Sequence, residues 1–153
     1  MDLEEAIGRT FFRNEKHKLM LNLLHTQSWL VQQLRAVLEP YDLDHREYRA
    51  LYTLYQHNPE SITSRELQYH FLDAQVNGQE VLRQLRDKGL VARSQAAGQH
   101  EEIMLTPQGR RRLEEVEHGH EKLEAILKAL NEDDARIINE GLDQMRGEDE
   151  GGS

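Results

Sequence analysis

Apolar residues recur at every third or fourth position over residues 15–38, and this spacing predicts one long amphipathic helix. The apolar stripe consists of Leu19, Leu23, Leu30, Leu34 and Leu38. A helix of this length would span roughly 36 Å at about 1.5 Å per residue, which is more than the core of a small monomer needs. We therefore expect the stripe to contact more than one neighbour before Pro40 ends the helix.

The middle of the chain predicts three shorter helices. Asp44 is a suitable N-cap for the first of them, which carries a face of tyrosine and leucine side chains. Thr63 and Glu66 have the spacing of a capping box and begin the second. The third is expected at about residues 75–88, and Gly89 can adopt the left-handed conformation that ends a helix.

A hairpin and two further helices are predicted for the rest of the chain. Residues 90–94 and 101–105 have strand-like composition on either side of a glycine-containing turn, and Thr106-Pro107 then opens a long helix. The seam of this helix has a heptad-like spacing and consists of Leu113, Val116, His120, Leu123, Leu127 and Leu130. A last helix is expected at about residues 132–146, and the acidic residues 147–153 are expected to form a disordered tail.

Together these elements predict a single, mainly α domain with a small β-hairpin wing. The lobe at residues 44–106 has the element order of a winged helix-turn-helix. Outer helices at residues 15–38 and 107–146 flank it, after an N-terminal arm whose large apolar anchors are Phe11 and Phe12. The apolar faces of the outer helices exceed what the small lobe can cover, so a second copy of the chain is the simplest cover and a homodimer is expected.

Composition and charge limit the classes of function that the protein can have. The 153 residues include no cysteine, which excludes disulfides and any thiol-based switch. The sequence has no apolar run long enough to span a membrane and no signal peptide, so we expect a cytoplasmic protein with no membrane partner. The net charge is −9, whereas a nucleic-acid-binding protein usually carries a basic face. A DNA-binding surface would therefore have to be a local basic patch on an acidic body.

Four segments, taken in order, resemble the MarR family of transcriptional regulators. They are LEPYDL at residues 38–43, ITSREL at 62–67, the stretch 81–91 that ends in KGLV, and LTPQG at 105–109, which is the strongest. The resemblance covers roughly residues 15–145. It implies a homodimer that places one recognition helix per subunit in successive major grooves of double-stranded DNA. It also implies a small-molecule effector, because many members release DNA when such a molecule acts on them.

The predicted recognition helix and wing depart from the family's pattern. Glu80 stands where members commonly carry an arginine, and a carboxylate repels phosphates. Gly78 within the same helix is expected to cost roughly 1 kcal/mol relative to alanine. The wing stretch at residues 98–102 is short and has no arginine. Residues 61–106 include five Lys and Arg and six Asp and Glu, so this segment has no excess of positive charge. Binding to DNA should therefore be weak unless the cations lie together on one face.

The DNA-contacting candidates are polar and basic residues of the lobe and its edges. They are Arg65, Gln75, Asn77, Gln79, Arg83, Arg86, His100 and Arg110. Asn and Gln pair naturally with adenine, and Arg with guanine, in the major groove. In the competing interpretation these are only solvated side chains, and Arg110 pairs with Glu114 one turn further on.

Aromatic residues and histidines define the other candidate sites. A ligand pocket between the outer helices and the lobe would be lined by His25, Trp29, Tyr41, Tyr48 and Tyr55. Aromatic residues at helical spacing are, however, more often part of a core. His118 and His120 are two residues apart and so lie on different sides of a helix, which argues against a metal site. The sequence contains no motif for catalysis, and no cofactor is expected.

Two functions remain open at this point. The first is a homodimeric, sequence-specific DNA-binding regulator whose activity a small molecule modulates. The second is a winged-helix dimer that has lost DNA binding and acts through protein–protein contacts, which Glu80 and the acidic wing favour.

Overall fold

The computed structural model describes residues 1–8, 11–70, 77–94 and 101–150. The helices are α1 (Leu3–Ile7), α2 (Glu15–Leu38), α3 (His45–His57), α4 (Ser64–His70), α5 (Gly78–Asp87), α6 (Pro107–His118), α7 (His120–Glu124) and α8 (Glu132–Glu150). The strands are β1 (Ile62–Thr63), β2 (Val91–Ser94) and β3 (Glu102–Leu105). Short 3₁₀ turns follow α2 at Glu39–Tyr41 and α7 at Ala125–Leu127.

The lobe from α3 to the start of α6 completes a hydrophobic core of its own. Its fully buried side chains are Leu51, Leu54, Leu67, Val81, Leu82, Leu85, Leu90 and Ile103, joined by Leu38 of α2 and by Leu113 and Val116 of α6. The antiparallel sheet has the order β1-β3-β2, with Ile62 opposite Ile103 and Val91 opposite Leu105. The predicted lobe with its hairpin is confirmed, whereas the two-residue strand β1 was missed because it is too short to show alternation.

Capping side chains fix the helix ends of the lobe as the sequence predicts. The Asp44 carboxylate accepts a hydrogen bond from the Glu47 amide at 2.8 Å, and the Glu47 carboxylate accepts one from the Asp44 amide at 3.1 Å. Thr63 and Glu66 make the same reciprocal pair, with both distances at 3.1 Å. Gly89 has a φ of +74°, the left-handed conformation expected after α5.

Glu47 is a buried charged residue, only 3% exposed, and it is held by Lys88. The Lys88 ammonium donates a hydrogen bond to Glu47 Oε1 over 3.1 Å and another to the carbonyl oxygen of Asp42 over 2.7 Å. Because a buried carboxylate is costly without a partner, loss of the Lys88 side chain should destabilise the fold. The Lys88–Glu47 pair ties the end of α5 to the junction between α2 and α3.

The segment at residues 105–109 joins the sheet to α6 through a close backbone approach. The Thr106 hydroxyl accepts a hydrogen bond from the Gly109 amide at 3.0 Å and donates one to the Gly89 carbonyl at 2.7 Å. A Cβ atom added to Gly109 would lie 2.0 Å from the Leu90 carbonyl oxygen. Only glycine fits here, which gives a physical reason for the LTPQG pattern.

The prediction of one continuous helix after Pro107 is wrong. Helix α6 ends at Gly119, whose amide donates hydrogen bonds to the carbonyls of Glu115 and Val116, and the chain then continues as the short helix α7. The predicted heptad seam is therefore divided. Its first two positions are buried in the lobe core, whereas His120 is exposed and hydrogen-bonds the Glu117 carbonyl at 2.9 Å.

Two expectations for the chain ends also need correction. Helix α8 runs to Glu150, four residues beyond the end at residue 146 that the sequence predicts. The N-terminal arm contains α1, and its buried anchor is Leu3, whereas Phe11 is 84% exposed. A Glu4–Lys18 ion pair of 2.8 Å holds α1 against α2 and lowers the pKa of Glu4.

The outer helices leave many large apolar side chains exposed. They are Leu19, Met20, Leu23, Leu24 and Trp29 on α2, and Leu127, Leu130, Ile137, Ile138 and Met145 after α7. Leu34 and Leu38, further along the same stripe of α2, pack against the lobe core. The C-terminal part of the α2 stripe is thus covered by the lobe, whereas its N-terminal part is exposed. Within the described ranges, no helix combines the length and apolar character needed to cross a membrane.

Candidate nucleic-acid interface

Helix α5 is the second helix of the helix-turn-helix pair, and one of its sides is free. Its inner face is locked into the core by Val81, Leu82 and Leu85. This leaves Gln79, Glu80 and Arg83 exposed on the other side. Together with Asn77 and Arg86, these three residues line a shallow surface hollow of about 450 Å³. Four of the eight predicted DNA-contacting residues therefore share one surface.

The start of α5 differs from the prediction. The helix begins at Gly78 and not at residue 75, because the Asn77 side chain caps it by accepting from the amides of Gln79 and Glu80 at 3.1 and 3.3 Å. Gly78 is the first helical residue and packs against α4, since an added Cβ would lie 3.3 Å from Gln68 Cγ. The prediction that Gly78 destabilises the helix by lying in its interior is therefore wrong. The cap also occupies the amide oxygen that bidentate recognition of adenine would need from Asn77.

Arg83 is the most accessible cation of this surface. Its Nη1 atom lies 3.8 Å from Asp87 Oδ2, and both side chains are exposed, so the pair is weak and screened by solvent. Glu80 lies one turn before it on the exposed side of the helix. The exposed part of this surface thus places the Arg83 cation close to the Glu80 anion.

Arg86 is less free than the sequence suggests. Its Nη1 atom donates a hydrogen bond to Glu101 Oε1 at 3.0 Å, and Arg93 of β2 reaches the same oxygen from 2.6 Å. Neither Arg93 nor Glu101 was predicted as a site residue. Glu101 follows Arg86 by fifteen positions and lies directly before β3, so no local pattern could reveal the contact.

The other basic candidates lie at the edges of the lobe. Arg65 is exposed at the start of α4. Arg110 forms an ion pair with Glu114 over 3.0 Å. This contact is the one predicted by the interpretation in which Arg110 is only a solvated side chain. Arg112 donates to the Tyr41 carbonyl at 2.8 Å and so has a structural role. Gln75 and His100 lie outside the described residues.

The five predicted pocket residues do not line one cavity. His25 and Trp29 border a hollow of about 390 Å³ between α1 and α2, whose other lining residues include Leu3 and Asn22. The three tyrosines instead pack against the lobe core.

Tyr48 shows how firmly one of these tyrosines is held. Its hydroxyl donates a hydrogen bond to Glu117 at 3.0 Å. Burial and this hydrogen bond raise the pKa of Tyr48 well above its ordinary value. In the parts of the chain that the structure describes, no group of three or more His, Asp or Glu side chains is arranged to hold a metal ion.

A smaller cavity at the α2–α3 junction was not predicted. It measures about 280 Å³ and is lined by Val31, Arg35, Asp44, His45 and Arg46. Burial, together with the charges of the nearby arginines, lowers the pKa of His45. Burial alone would raise the pKa of Asp44, but the Glu47 amide and Arg46 outweigh it, so this pKa lies below its usual value.

Comparison with known proteins identifies the fold. No protein-family model and no curated protein matches the sequence. Sco5413, a MarR family transcriptional regulator from Streptomyces coelicolor, superimposes with a TM-score of 0.79 at 19% identity, covering 91% of this chain and 98% of that one. A mutant MarR from E. coli complexed with operator DNA gives a TM-score of 0.76 at 19% identity, covering 89% and 99%. The fold is that of the MarR-type regulators.

Another MarR-like structure carries a small molecule. NadR in complex with 4-hydroxyphenylacetate gives a TM-score of 0.71 at 19% identity, covering 87% of this chain and 98% of NadR. The MarR-type fold expected from four short segments is therefore confirmed over most of the chain. At such identities the likeness establishes the fold alone.

Proposed function

We propose that the protein is a homodimeric, DNA-binding transcriptional regulator of MarR type. The observation that carries this proposal is α5, which is fixed by its buried face and presents Gln79 and Arg83 to solvent beside a hairpin wing. A helix fixed in this way can enter the major groove without reordering its backbone. Support comes from the E. coli MarR structure, whose similar fold is bound to operator DNA.

Dimerisation follows from the uncovered apolar faces of the outer helices. Ten large apolar side chains on α2 and after α7 are more than a third exposed, and a second copy of the chain would cover them by symmetry. A dimer would place two α5 helices on one side of the assembly. DNA recognition by such pairs requires a spacing of about one turn of the duplex, roughly 34 Å.

The charge balance predicts moderate binding with a shallow dependence on salt. The chain carries −9, and Glu80 stands beside Arg83 on the exposed side of α5. Phosphate contacts supply most of the non-specific affinity of a DNA-binding protein. This surface has few free cations that could make such contacts. Sequence-specific contacts from Arg83 should therefore account for a large share of the binding free energy.

The test is DNA binding by fluorescence anisotropy, titrated with salt, on duplexes from the protein's own promoter region. Arg83→Ala should weaken binding about 5- to 100-fold, as expected for loss of one base contact. Arg136→Ala is the matched control, because Arg136 is equally exposed on α8 and also pairs with a nearby aspartate. Equal losses in both variants would point to bulk charge and not to a contact by α5.

A small-molecule effector is the second component of the proposal. The hollow at His25 and Trp29 is the candidate site, because these two predicted pocket residues line a cavity while the tyrosines are packed into the core. NadR, with a similar fold, holds 4-hydroxyphenylacetate. Trp29 is the single tryptophan of the chain, so quenching of its fluorescence by an aromatic acid would report binding there.

The alternative function is a dimer that acts through protein–protein contacts. Glu80 and the engagement of Arg86 and Arg93 by Glu101 favour it, because they lower the positive potential that DNA would meet. Absence of binding by the wild type at low salt would support this alternative against the regulator.

A further inference from the structure

Glu101 holds two arginines of the proposed DNA-facing surface at a single oxygen atom. Arg86 Nη1 lies 3.0 Å and Arg93 Nε 2.6 Å from Glu101 Oε1. Arg86 comes from α5, Arg93 from β2, and Glu101 directly precedes β3. One carboxylate thus serves two guanidinium groups, and the cluster keeps a net charge of +1.

The position of Glu101 is fixed by its backbone as well. Its carbonyl oxygen accepts a hydrogen bond at 3.1 Å from the amide of Ser64, which is the first residue of α4. The carboxylate therefore lies where α4, α5 and the wing converge. In a winged helix-turn-helix these are the elements that approach a duplex together.

Building on the proposed function, we infer that Arg86 and Arg93 form a binding site for a backbone phosphate of DNA, which Glu101 occupies in the DNA-free protein. Guanidinium groups bind carboxylates and phosphates with the same N–H donors, so one monoanion can replace the other. The Arg93 side chain is 62% exposed, and a phosphate can reach it from solvent. Binding DNA then requires the exchange of the Glu101 carboxylate for a phosphate, which lowers the affinity.

A purely structural role for Glu101 makes the opposite prediction. If the carboxylate only pins α5 to the wing, removing its charge should loosen the recognition surface and weaken DNA binding. Glu101→Gln separates the two roles, because glutamine keeps the size and an acceptor oxygen but loses the charge that competes with phosphate.

Glu102→Gln is the matched control. It removes the same charge one residue further on, where the carboxylate accepts a hydrogen bond from the Ser61 hydroxyl at 2.9 Å. Among the described residues, no arginine is paired with it. General electrostatics should affect both variants alike, whereas release of Arg86 and Arg93 should occur only in Glu101→Gln.

The experiment compares salt-titrated DNA binding of the full-length wild type with Glu101→Gln, Glu102→Gln and the double variant Glu101→Gln/Arg93→Gln. We expect Glu101→Gln to bind about tenfold more tightly at low salt. The slope of log association constant against log salt should steepen by about 1 for each additional phosphate that the variant neutralises. Glu102→Gln should leave the slope unchanged, and the double variant should bind no more tightly than the wild type.

Each outcome decides between the possibilities. If the wild type binds DNA but Glu101→Gln binds no more tightly than Glu102→Gln, the inference is overturned and the proposed function stands. If neither the wild type nor any variant binds at low salt, the proposed function fails, and the inference with it. Should Glu101→Gln not fold, as judged by thermal unfolding, Arg93→Gln replaces it. That variant should weaken binding and flatten the salt slope, and unchanged binding would overturn the inference.

Discussion

The lobe and the outer helices differ in how they bury their apolar side chains. In the lobe, residues such as Leu51, Leu85 and Ile103 are fully enclosed by the chain's own elements. On α2 and after α7, ten large apolar side chains remain 37% to 66% exposed. The core at the lobe is therefore complete within one chain, whereas the apolar faces of the outer helices become buried only when another surface covers them. Three predictions test this difference.

The largest effect is expected from Gly109→Ala in the lobe. The new Cβ would meet the Leu90 carbonyl oxygen at 2.0 Å, so α6 and the sheet must move apart. The clash is with a backbone carbonyl in a packed region, which cannot rotate away as a flexible side chain can. We therefore expect a loss of about 3 kcal/mol in the free energy of unfolding. Urea denaturation of the two proteins measures it.

Gly147→Ala is the control for that change. Gly147 lies in α8, where an added Cβ would meet nothing within 4 Å. Alanine should therefore be neutral or stabilise the helix by up to about 1 kcal/mol. Similar losses at both glycines would contradict the contrast between a packed lobe and an open outer helix.

The next largest effect is expected from Leu24→Glu on the exposed apolar surface of α2. Leu24 is among the most exposed apolar residues of this helix, and a buried carboxylate in a dimer interface would be unfavourable. We expect the dissociation constant of the dimer to rise about tenfold or more, with the stability of the lobe nearly unchanged. Light scattering over a dilution series should then show a shift toward the 17.9 kDa monomer.

Gln56→Glu provides the same charge outside the proposed interface. Gln56 lies on α3, whereas the ten exposed apolar side chains lie on α2 and after α7. Gln56 is exposed, so the dimer should tolerate the change. A wild type that is monomeric, or a Leu24→Glu variant as dimeric as Gln56→Glu, would contradict the proposed interface.

The smallest effect is expected at the junction between the two regions, where His45 should make stability sensitive to acid. Burial and the charges of Arg46, Arg49 and Arg35 outweigh Asp44 and lower the pKa of His45 below 6.5. The unfolded chain therefore binds this proton more readily than the folded one. The contribution to stability is complete above about pH 6.5 and is lost as pH falls through the lower, folded-state pKa.

His45→Gln should remove this part of the pH dependence. Denaturation curves recorded at several values just below pH 6.5 should show a flatter decline for the variant than for the wild type. An identical decline in both proteins would mean that other groups are responsible.

Much of the fold could be predicted because its signals are local. Thr63 and Glu66 specify a helix start within four residues, and Gly89 specifies a helix end at one position. The break at Gly119 was missed because the apolar spacing continues across it. At Gly119 the chain passes so close to the Tyr41 hydroxyl that an added Cβ would lie 2.9 Å from it, and no local pattern reveals that contact.

The candidate site was predicted less completely than the fold. The sequence placed Gln79 and Arg83 correctly on the exposed side of α5, because helical periodicity fixes which side is buried. It could not show that Arg86 is engaged, since Glu101 approaches it only when the hairpin folds back. Charge counts along a sequence therefore overestimate the cations available to a duplex.

The Lys88–Glu47 pair has a mechanical consequence. It connects Lys88, at the end of α5, to Glu47 in the first turn of α3, and the Glu47 carboxylate is almost entirely shielded from water. Displacement of α3 relative to α5 would either move α5 as well or leave a buried charge unpaired. If the proposed function is correct, a molecule that displaced α3 would therefore also move the helix that is proposed to read DNA.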